Sequence, residues 1–331
     1  VGKRSQSKGC CMVSKHGFKS VSPELVKRLC EISGNGGVLV DAPMSDYTTF
    51  RIGGPAEVLV LPSSAEEVAA VVAACREFGI EWRVMGLGSD LLISDAGLPG
   101  VAIRLAENLS SVKVEGDVLV AEAGASNEQV AQAALEAGLA GYEFASGIPG
   151  SIGGSAIMDA GAYGGEFKDV AVSLSCLTRE GELVEISAEE AAWGYRRSMM
   201  SDEGMVVLSA TLQLHFDDPA AIKERMDDLE ARRLEKQPLE LPSAGSTFKR
   251  PEGYYAGKLI QDAGLQGLRI GGAEVSRKHA GFVVNIGGAT ASDVVNLIRT
   301  VQQGVFDDAG VRLEPEVRMW GFDRLETERG E

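Results

Sequence analysis

The densest glycine run in the chain reads Gly147-Ile148-Pro149-Gly150-Ser151-Ile152-Gly153-Gly154 and continues into Asp159-Ala160-Gly161-Ala162-Tyr163-Gly164-Gly165. Residues 141–165 hold eight glycines, and their only charges are Glu143 and Asp159. A segment so poor in charge does not read as a solvated linker. It is either a structural glycine turn or backbone shaped around a ligand. Glycine lets main chain approach a ligand closely, Pro149 stiffens one turn, and backbone amides can hold a pyrophosphate without any cationic side chain.

Composition narrows the choice. The chain has 331 residues, enough for two or three domains, with 32 Lys+Arg against 48 Asp+Glu and a net charge of −16. Hydrophobic residues make up 44% and charged residues 24%, ordinary for a globular protein. Its 41 glycines are well above the share of about 7% that is usual. The acidic balance excludes a bulk nucleic-acid binder, and no run approaches the ~20 apolar residues of a membrane span. The five cysteines show no C-x-x-C spacing, and the three histidines, His16, His215 and His279, form no zinc motif. Reduced thiols, no metal site and a cytoplasmic protein are expected. Residues 1–20 carry five cations and no acid and read as a disordered basic tail.

Working outward from the glycine run, the element pattern is mixed. A helix is predicted over 64–78, with Ser64 and Glu67 as a capping box, an apolar stripe through Val68, Val71, Val72, Cys75 and Phe78, and Gly79 as its stop. Strands are predicted at 81–85, 101–105 and 117–122. A helix with an Asn127 cap follows over 127–137, then a long strand over 205–216. The highly charged segment 218–236, with one narrow stripe of Ile222, Met226 and Leu229, reads as a surface helix linking two domains. Beyond it come a buried strand at 281–286, a helix at 292–306, a final strand at 311–320 and a polar tail.

Other segments carry chemistry. Met85-Gly86-Leu87-Gly88-Ser89-Asp90-Leu91 follows a strand and is either a tight turn or a phosphate-binding nest; it is neither a Walker A loop nor G-x-G-x-x-G. Trp193-Gly194-Tyr195-Arg196-Arg197-Ser198 is a surface arginine pair, or it offers a planar fork to a carboxylate or phosphate. Ser243-Ala244-Gly245-Ser246-Thr247-Phe248-Lys249-Arg250 combines hydroxyls with cations, and Leu313-Glu314-Pro315-Glu316-Val317-Arg318 embeds a carboxylate in a strand.

In this order the segments, from Tyr47-Thr48-Thr49-Phe50-Arg51-Ile52-Gly53-Gly54 to Arg318, resemble the UDP-N-acetylenolpyruvoylglucosamine reductases (MurB family) of bacterial peptidoglycan synthesis. The resemblance implies an α+β fold: an FAD-binding domain of the vanillyl-alcohol-oxidase (PCMH) type over 21–216, in two subdomains meeting near residue 62, and a C-terminal substrate domain over 217–318, then a polar tail. It implies FAD and NADPH as cofactors and UDP-N-acetylglucosamine enolpyruvate as substrate. Hydride passes from reduced flavin to the enolpyruvyl double bond, and a proton completes the lactyl ether. A monomer is expected.

By the same resemblance, Arg196 binds the enolpyruvyl carboxylate, Ser246 donates the proton, and Glu316 stabilises the intermediate. A carboxylate beside a developing anion has to be protonated or bonded to an arginine. The implied FAD contacts are Arg51, Gly86, Gly88, Ser89, Asp90, Leu91, Gly147, Ile148, Pro149, Gly150, Ser151, Gly153, Gly154, Asp159, Ala160 and Gly161. The implied nucleotide-sugar contacts are Tyr195, Lys249, Arg250 and His279. The compact spacing from Arg196 to Ser246 to His279 resembles the shorter family type, which lacks an inserted substrate-clamping loop. Leu87, Asp90 and Asp159 depart from the family pattern, and the two carboxylates are expected to put negative charge near the FAD phosphates. Another FAD-linked oxidoreductase and a non-catalytic nucleotide-sugar binder are the alternatives.

Overall fold

The computed structural model describes residues 20–322, so the basic segment 1–19, with Cys10, Cys11 and His16, and residues 323–331 lie outside the described residues. Three sheet-and-helix layers follow one another along the chain, each with its own apolar core.

The first layer is a four-stranded mixed sheet in the order Val38–Pro43, Pro55–Val60, Leu98–Arg104, Trp82–Met85. The last three strands are mutually parallel, which requires a crossover, and helix Ala65–Phe78 supplies it. Val68, Val71, Val72 and Cys75 are buried as their spacing predicts, and Gly79 closes the helix in the left-handed region at φ 62°. Ser64 Oγ accepts from Glu67 N at 3.2 Å, but the Glu67 carboxylate turns back to Ser63 rather than Ser64. Because Pro55–Val60 pairs with Leu98–Arg104, the boundary expected near residue 62 falls inside one sheet; the division lies beyond residue 104.

The second layer is a five-stranded antiparallel sheet, ordered Leu183–Ser187, Ala171–Leu177, Val206–Gln213, Val118–Glu122, Val112–Glu115. Its central strand feeds two cores: Val206 and Leu208 pack into the first layer, Val207, Ala210 and Leu212 into the second. The long strand predicted over 205–216 ends at Gln213, and His215–Phe216 pairs separately with Leu139–Ala140. Helix Asn127–Glu136 is capped by Ser126, not by Asn127. Cys75 and Cys176 are buried, and burial pushes both thiols up to about 12, so neither is a ready nucleophile.

Helix Pro219–Lys236 leads to the third layer. Asp218 caps it, accepting from Ala220 N at 3.0 Å, with Pro219 at the first position. There the sheet order is Ser243–Ser246, Phe282–Asn285, Ala273–Val275, Arg269–Ile270, backed by Ala291–Ala309. That helix starts at a Thr290–Asp293 capping box, its first residue Ala291 one position before the start predicted, and buries Val294, Leu297, Ile298, Val301 and Val305.

The third layer is sewn to the first. The final strand is only Arg318–Trp320, and it runs parallel to Leu91–Ile93. Pro315 lacks an N–H, and the segment before Arg318 makes a single bridge, Phe248 to Pro315, instead of a ladder. Met319 and Trp320 therefore belong to a strand and not to the polar tail. Thr49 Oγ1 donates to Ser243 O at 2.7 Å, Asn285 Nδ2 to Phe50 O at 3.2 Å, and the Asp95 carboxylate accepts from Ala291 N and Ser292 N at 2.7 and 2.9 Å. These bonds fix the seam along which the site lies.

Candidate active site

A cavity of about 1030 Å³ runs along that seam, bounded by residues of all three layers. Binding pockets usually measure roughly 300–1,000 Å³, so this one is large enough for an extended cofactor. One wall is residues 86–91, between strands Trp82–Met85 and Leu91–Ile93; the facing wall is residues 148–154. The two walls approach closely, Gly86 of one facing the Ser151 hydroxyl of the other and Gly150 the Ser89 hydroxyl. A Cβ on Gly86 would stand 2.0 Å from Ser151 Oγ, and Gly150 holds φ 134°.

The glycine run is held from behind by Asn127, which is only 1% exposed. Asn127 N donates to Gly150 O at 3.1 Å and its Nδ2 to Ile148 O at 3.2 Å. Its Oδ1 accepts from Tyr142 Oη at 2.8 Å and Ser155 Oγ at 3.0 Å. The residue expected as a helix cap is instead the bracket of this loop. Within the run, Ile152–Met158 forms a short helix that the sequence reading missed, and Asp159 ends it at φ 44°.

Arg196 Nε donates to Glu316 Oε1 at 2.6 Å, and Nη1 to Asp159 O at 3.3 Å. The guanidinium also lies over the Tyr195 ring, 4.9 Å from its centroid. Arg196 and Glu316 are 20% and 15% exposed, so the pair is shielded yet faces the cavity. Burial alone lowers the Arg196 pKa, but the Glu316 carboxylate outweighs it, helped by Tyr195 and Asp159, and the value rises above its ordinary range. Arg196 is thus a fixed cation.

Ser246 reaches the same cavity from the end of strand Ser243–Ser246. The strand is irregular between Ser243 and Ser246, with Gly245 at φ 73°, a kink that re-aims the final side chain. Residues 247–249 then lie between two neighbours: Thr247 Oγ1 accepts from Val283 N at 2.9 Å, while Glu316 N donates to Thr247 O and Lys249 N to Glu314 O, both at 2.8 Å. Main-chain bonds therefore fix Thr247, the residue after Ser246, against Glu316.

Asp90 lies in the cavity wall, 3.8 Å from Arg318 Nε through its Oδ2. Burial raises its pKa; Arg318 pulls it down and Glu316 adds to the rise. Asp159 behaves differently from the expectation. Its carboxylate is 1% exposed and faces Lys168, accepting from the main-chain N at 3.0 Å and from Nζ at 3.1 Å, so its charge is compensated away from the cavity.

Of the expected cofactor contacts, Arg51, Gly86, Gly88, Ser89, Asp90, Leu91, Ile148, Pro149, Gly150, Ser151, Gly153, Gly154, Ala160 and Gly161 line the cavity, whereas Gly147 and Asp159 do not. Tyr195, Lys249, Arg250 and His279 lie outside the lining. Arg250 N donates to Tyr195 Oη at 3.2 Å and its guanidinium stacks on Tyr255 at 4.0 Å, so Arg250 is tied through Tyr195 to Arg196. Lys249 pairs with Glu314. His279 Nδ1 accepts from Gly281 N at 3.1 Å, and burial lowers its pKa.

The lining holds seven arginines against four carboxylates, a local positive balance in a chain of net charge −16. Arg83, Arg104, Arg179 and Arg233 among them carried no motif. Arg233 was findable: Ile222, Met226, Leu229 and Arg233 share one helix face, so a cation sits on the stripe that turns inward. Close-approaching glycine walls, apolar flanks such as Ile157, Met158 and Val207, and clustered arginines fit a dinucleotide cofactor with a charged middle and flat ends. Among the described residues no group of His, Cys, Asp and Glu is placed to hold a metal, and no helix is long and apolar enough to cross a membrane.

Residues 56–187 match the FAD binding domain model, and fold and cavity together define a flavin-dependent oxidoreductase. Residues 237–320 match the model of the UDP-N-acetylenolpyruvoylglucosamine reductase C-terminal domain. The chain is 48% identical over 300 residues to the UDP-N-acetylenolpyruvoylglucosamine reductase of Clostridium perfringens strain SM101, covering 91% of this chain and 98% of that one. To the enzyme of the same name from Exiguobacterium sibiricum it is 49% identical over 301 residues, covering 91% and 99%. It superposes on the crystal structure of the Thermus caldophilus reductase (MurB) with a TM-score of 0.74 at 35% identity, covering 86% of this chain and 98% of that one. The chain belongs to the UDP-N-acetylenolpyruvoylglucosamine reductase family.

Proposed function

We propose that this chain reduces UDP-N-acetylglucosamine enolpyruvate to UDP-N-acetylmuramate with NADPH, supplying a precursor of peptidoglycan. Residues 21–216 serve the cofactor and 217–318 the nucleotide sugar. The observation that carries the reading is the meeting of Arg196, Glu316 and Ser246 in the cavity walled by the two glycine loops. Bound FAD supplies two-electron hydride transfer between NADPH and the alkene. The chain's residues do the rest. Arg196, oriented by Glu316 at Nε and by Asp159 O at Nη1, binds the substrate carboxylate. Its charge attracts the aci-carboxylate that develops after hydride addition more strongly than the ground state, which lowers the barrier. Ser246 Oγ gives its proton to the carbanion carbon; a carbanion is basic enough to take it from a serine. Glu316 is paired with an arginine rather than standing alone beside the growing negative charge, and its backbone link to Thr247 keeps acid and anion-binder in register.

Tyr195 and Arg250 stand where a nucleotide sugar would extend from the mouth, and Lys249 and His279 are assigned to the same ligand by family likeness. NADPH and the sugar use this one cavity in turn. A monomer working in the cytoplasm completes the proposed reading. The test is spectroscopic. Purified protein should be yellow, bleach anaerobically with NADPH, and recover its colour on addition of the enolpyruvyl nucleotide sugar. A bleached protein that recovers with O₂ but not with the sugar overturns the reading.

A further inference from the structure

Arg196 stands on a strained piece of backbone. Gly194 and Arg197 exchange both main-chain hydrogen bonds at 3.0 Å, so Tyr195 and Arg196 form the tip of a two-residue hairpin. Arg196 takes the second tip position at φ 56°, a conformation that glycine or asparagine adopts far more readily. Ala192, just before the hairpin, stands at φ 45°, and Asp159, which meets Arg196 through its carbonyl, at φ 44°. Six non-glycine residues adopt positive φ among the described residues, and these are three of them. Such conformations persist only where the surroundings over-determine them. The surroundings here are the end of helix Ile152–Met158. The last carbonyls of a helix have no partner inside it. The hairpin and its flanks supply partners: Trp193 Nε1 donates to Ala156 O at 2.7 Å, Ser198 Oγ to Ile157 O at 2.9 Å, and Arg196 Nη1 to Asp159 O at 3.3 Å. Ser198 is fully buried, and its hydroxyl also accepts from Ser201 N at 3.2 Å. The Trp193 ring packs edge-on against Phe167, with centroids 6.0 Å apart. Neither Trp193 nor Ser198 lines the cavity, whereas the helix they grip does so through Gly153, Gly154, Ser155, Ile157 and Met158.

We propose that Trp193 and Ser198 are positioning residues for the substrate carboxylate: they clamp the strained hairpin from both flanks onto the helix of the glycine run, and so present the Arg196 guanidinium in one orientation. The inference rests on the reading of Arg196 as the carboxylate ligand. Glu316 reaches Arg196 from the third layer and orients the guanidinium at Nε; the clamp sets the backbone from which that side chain springs. A planar fork gains from such control, because a bidentate contact with a carboxylate tolerates little displacement. Reduction of the sugar then depends on Trp193 and Ser198, although neither touches a ligand.

The test measures the two half-reactions separately in flavin-loaded protein carrying Trp193→Phe, Ser198→Ala or both. Phenylalanine keeps an aromatic ring against Phe167 and deletes the indole N–H. Flavin content and the rate of flavin reduction by NADPH should stay within about twofold of wild type. In turnover, kcat/KM for the enolpyruvyl nucleotide sugar should fall about tenfold in each single variant and about 100-fold in the double, the effect of displacing a positioned group by about 1 Å. KM should rise and kcat should fall together, because Arg196 binds the ground state and holds the transition state more strongly. The melting temperature of Trp193→Phe should drop by at most about 4 °C, as for one lost hydrogen bond. A double variant that reduces the sugar within about twofold of wild type overturns the inference. Equal slowing of both half-reactions, with flavin lost or a larger drop in melting temperature, shows a structural role and overturns it too. Arg196→Lys separates the underlying reading. If that variant leaves sugar reduction intact, Arg196 is not the carboxylate ligand and the reading itself fails. If it slows sugar reduction while the clamp variants do not, only the clamp is wrong.

Discussion

Arg196 Nε meets Glu316 Oε1 at 2.6 Å across 120 residues of chain, and the carboxylate that orients the guanidinium is itself fixed by a main-chain bond to the residue after Ser246. The three groups should behave as one unit. Glu316→Gln should keep flavin content and the rate of flavin reduction by NADPH, but slow reoxidation by the nucleotide sugar by about 10²–10³, the usual effect of losing one preorganised electrostatic partner. Arg196→Lys should do the same, because a point charge cannot reproduce the fork. The double variant should be little worse than the worse single one, since residues acting as a unit are not additive. Stopped-flow measurement of the two half-reactions separates these effects; a fully additive double variant contradicts the coupling.

Ser246→Ala should be more selective still. The hydroxyl lies in the cavity but makes no part of the sheet ladder through its side chain, so stability should hold within about 0.5 kcal/mol. Flavin reduction by NADPH should match wild type, and reoxidation by the sugar should fall by about 10²–10⁴, the range for loss of a general acid. In D₂O the remaining reoxidation should show an altered solvent isotope effect. Equal slowing of both half-reactions would remove Ser246 from the proton step.

Asp90 gives the pH dependence. Burial raises its folded pKa above the ordinary carboxylate value, Arg318 opposes the shift and Glu316 adds to it. The folded state therefore holds this proton more tightly than the unfolded one, and stability from the group is complete at low pH and is lost as pH rises through the raised value. Asp90→Asn removes that loss. With 38% of its side chain exposed, solvent screens the effect, so the melting temperature should exceed wild type only slightly at pH 7 and converge with it below the ordinary Asp pKa of about 3.9, and FAD should bind more tightly at neutral pH. A variant that is less stable than wild type at pH 7 would show that the carboxylate is held charged by Arg318.

The elements legible in the sequence are those whose local signals agree with their packing. Helix Ala65–Phe78 has a serine cap, an apolar stripe and a terminal glycine, and the structure uses all three. Where several signals compete, the reading slips by a residue: Ser126 and Asn127 are both good caps, and the buried partners Tyr142 and Ser155 claim the asparagine. Helix Ile152–Met158 was illegible because glycine and serine disfavour helix; contacts to the second sheet hold it. The final strand was overestimated because alternation cannot register the missing N–H of Pro315. In the site, Arg196, Ser246 and Glu316 were legible only as motifs, since nothing local tells that 120 residues of chain close on themselves. Asp159 was expected to place negative charge near the cofactor, but its partner Lys168 lies across a turn whose geometry depends on the fold.

The close approach of the two cavity walls yields the last prediction. A methyl group on residue 86 would stand 2.0 Å from Ser151 Oγ and 3.7 Å from Leu105 O, so it clashes with a side chain and not with main chain. Ser151 has little room to retreat. It is 2% exposed, its carbonyl accepts from Ser155 N at 2.8 Å, and it bridges to Ser126. Gly86→Ala should therefore part the walls, costing about 1–3 kcal/mol of stability as overpacking does. FAD affinity should fall at least about tenfold, because amides on both walls then miss a shared ligand. Ser151→Gly removes the obstructing oxygen, so Gly86→Ala with Ser151→Gly should regain most of the affinity that Gly86→Ala loses. Isothermal titration of the four proteins with FAD decides it: if the second change restores nothing, the walls are not held apart by this contact, and the glycine at 86 is required for its own backbone.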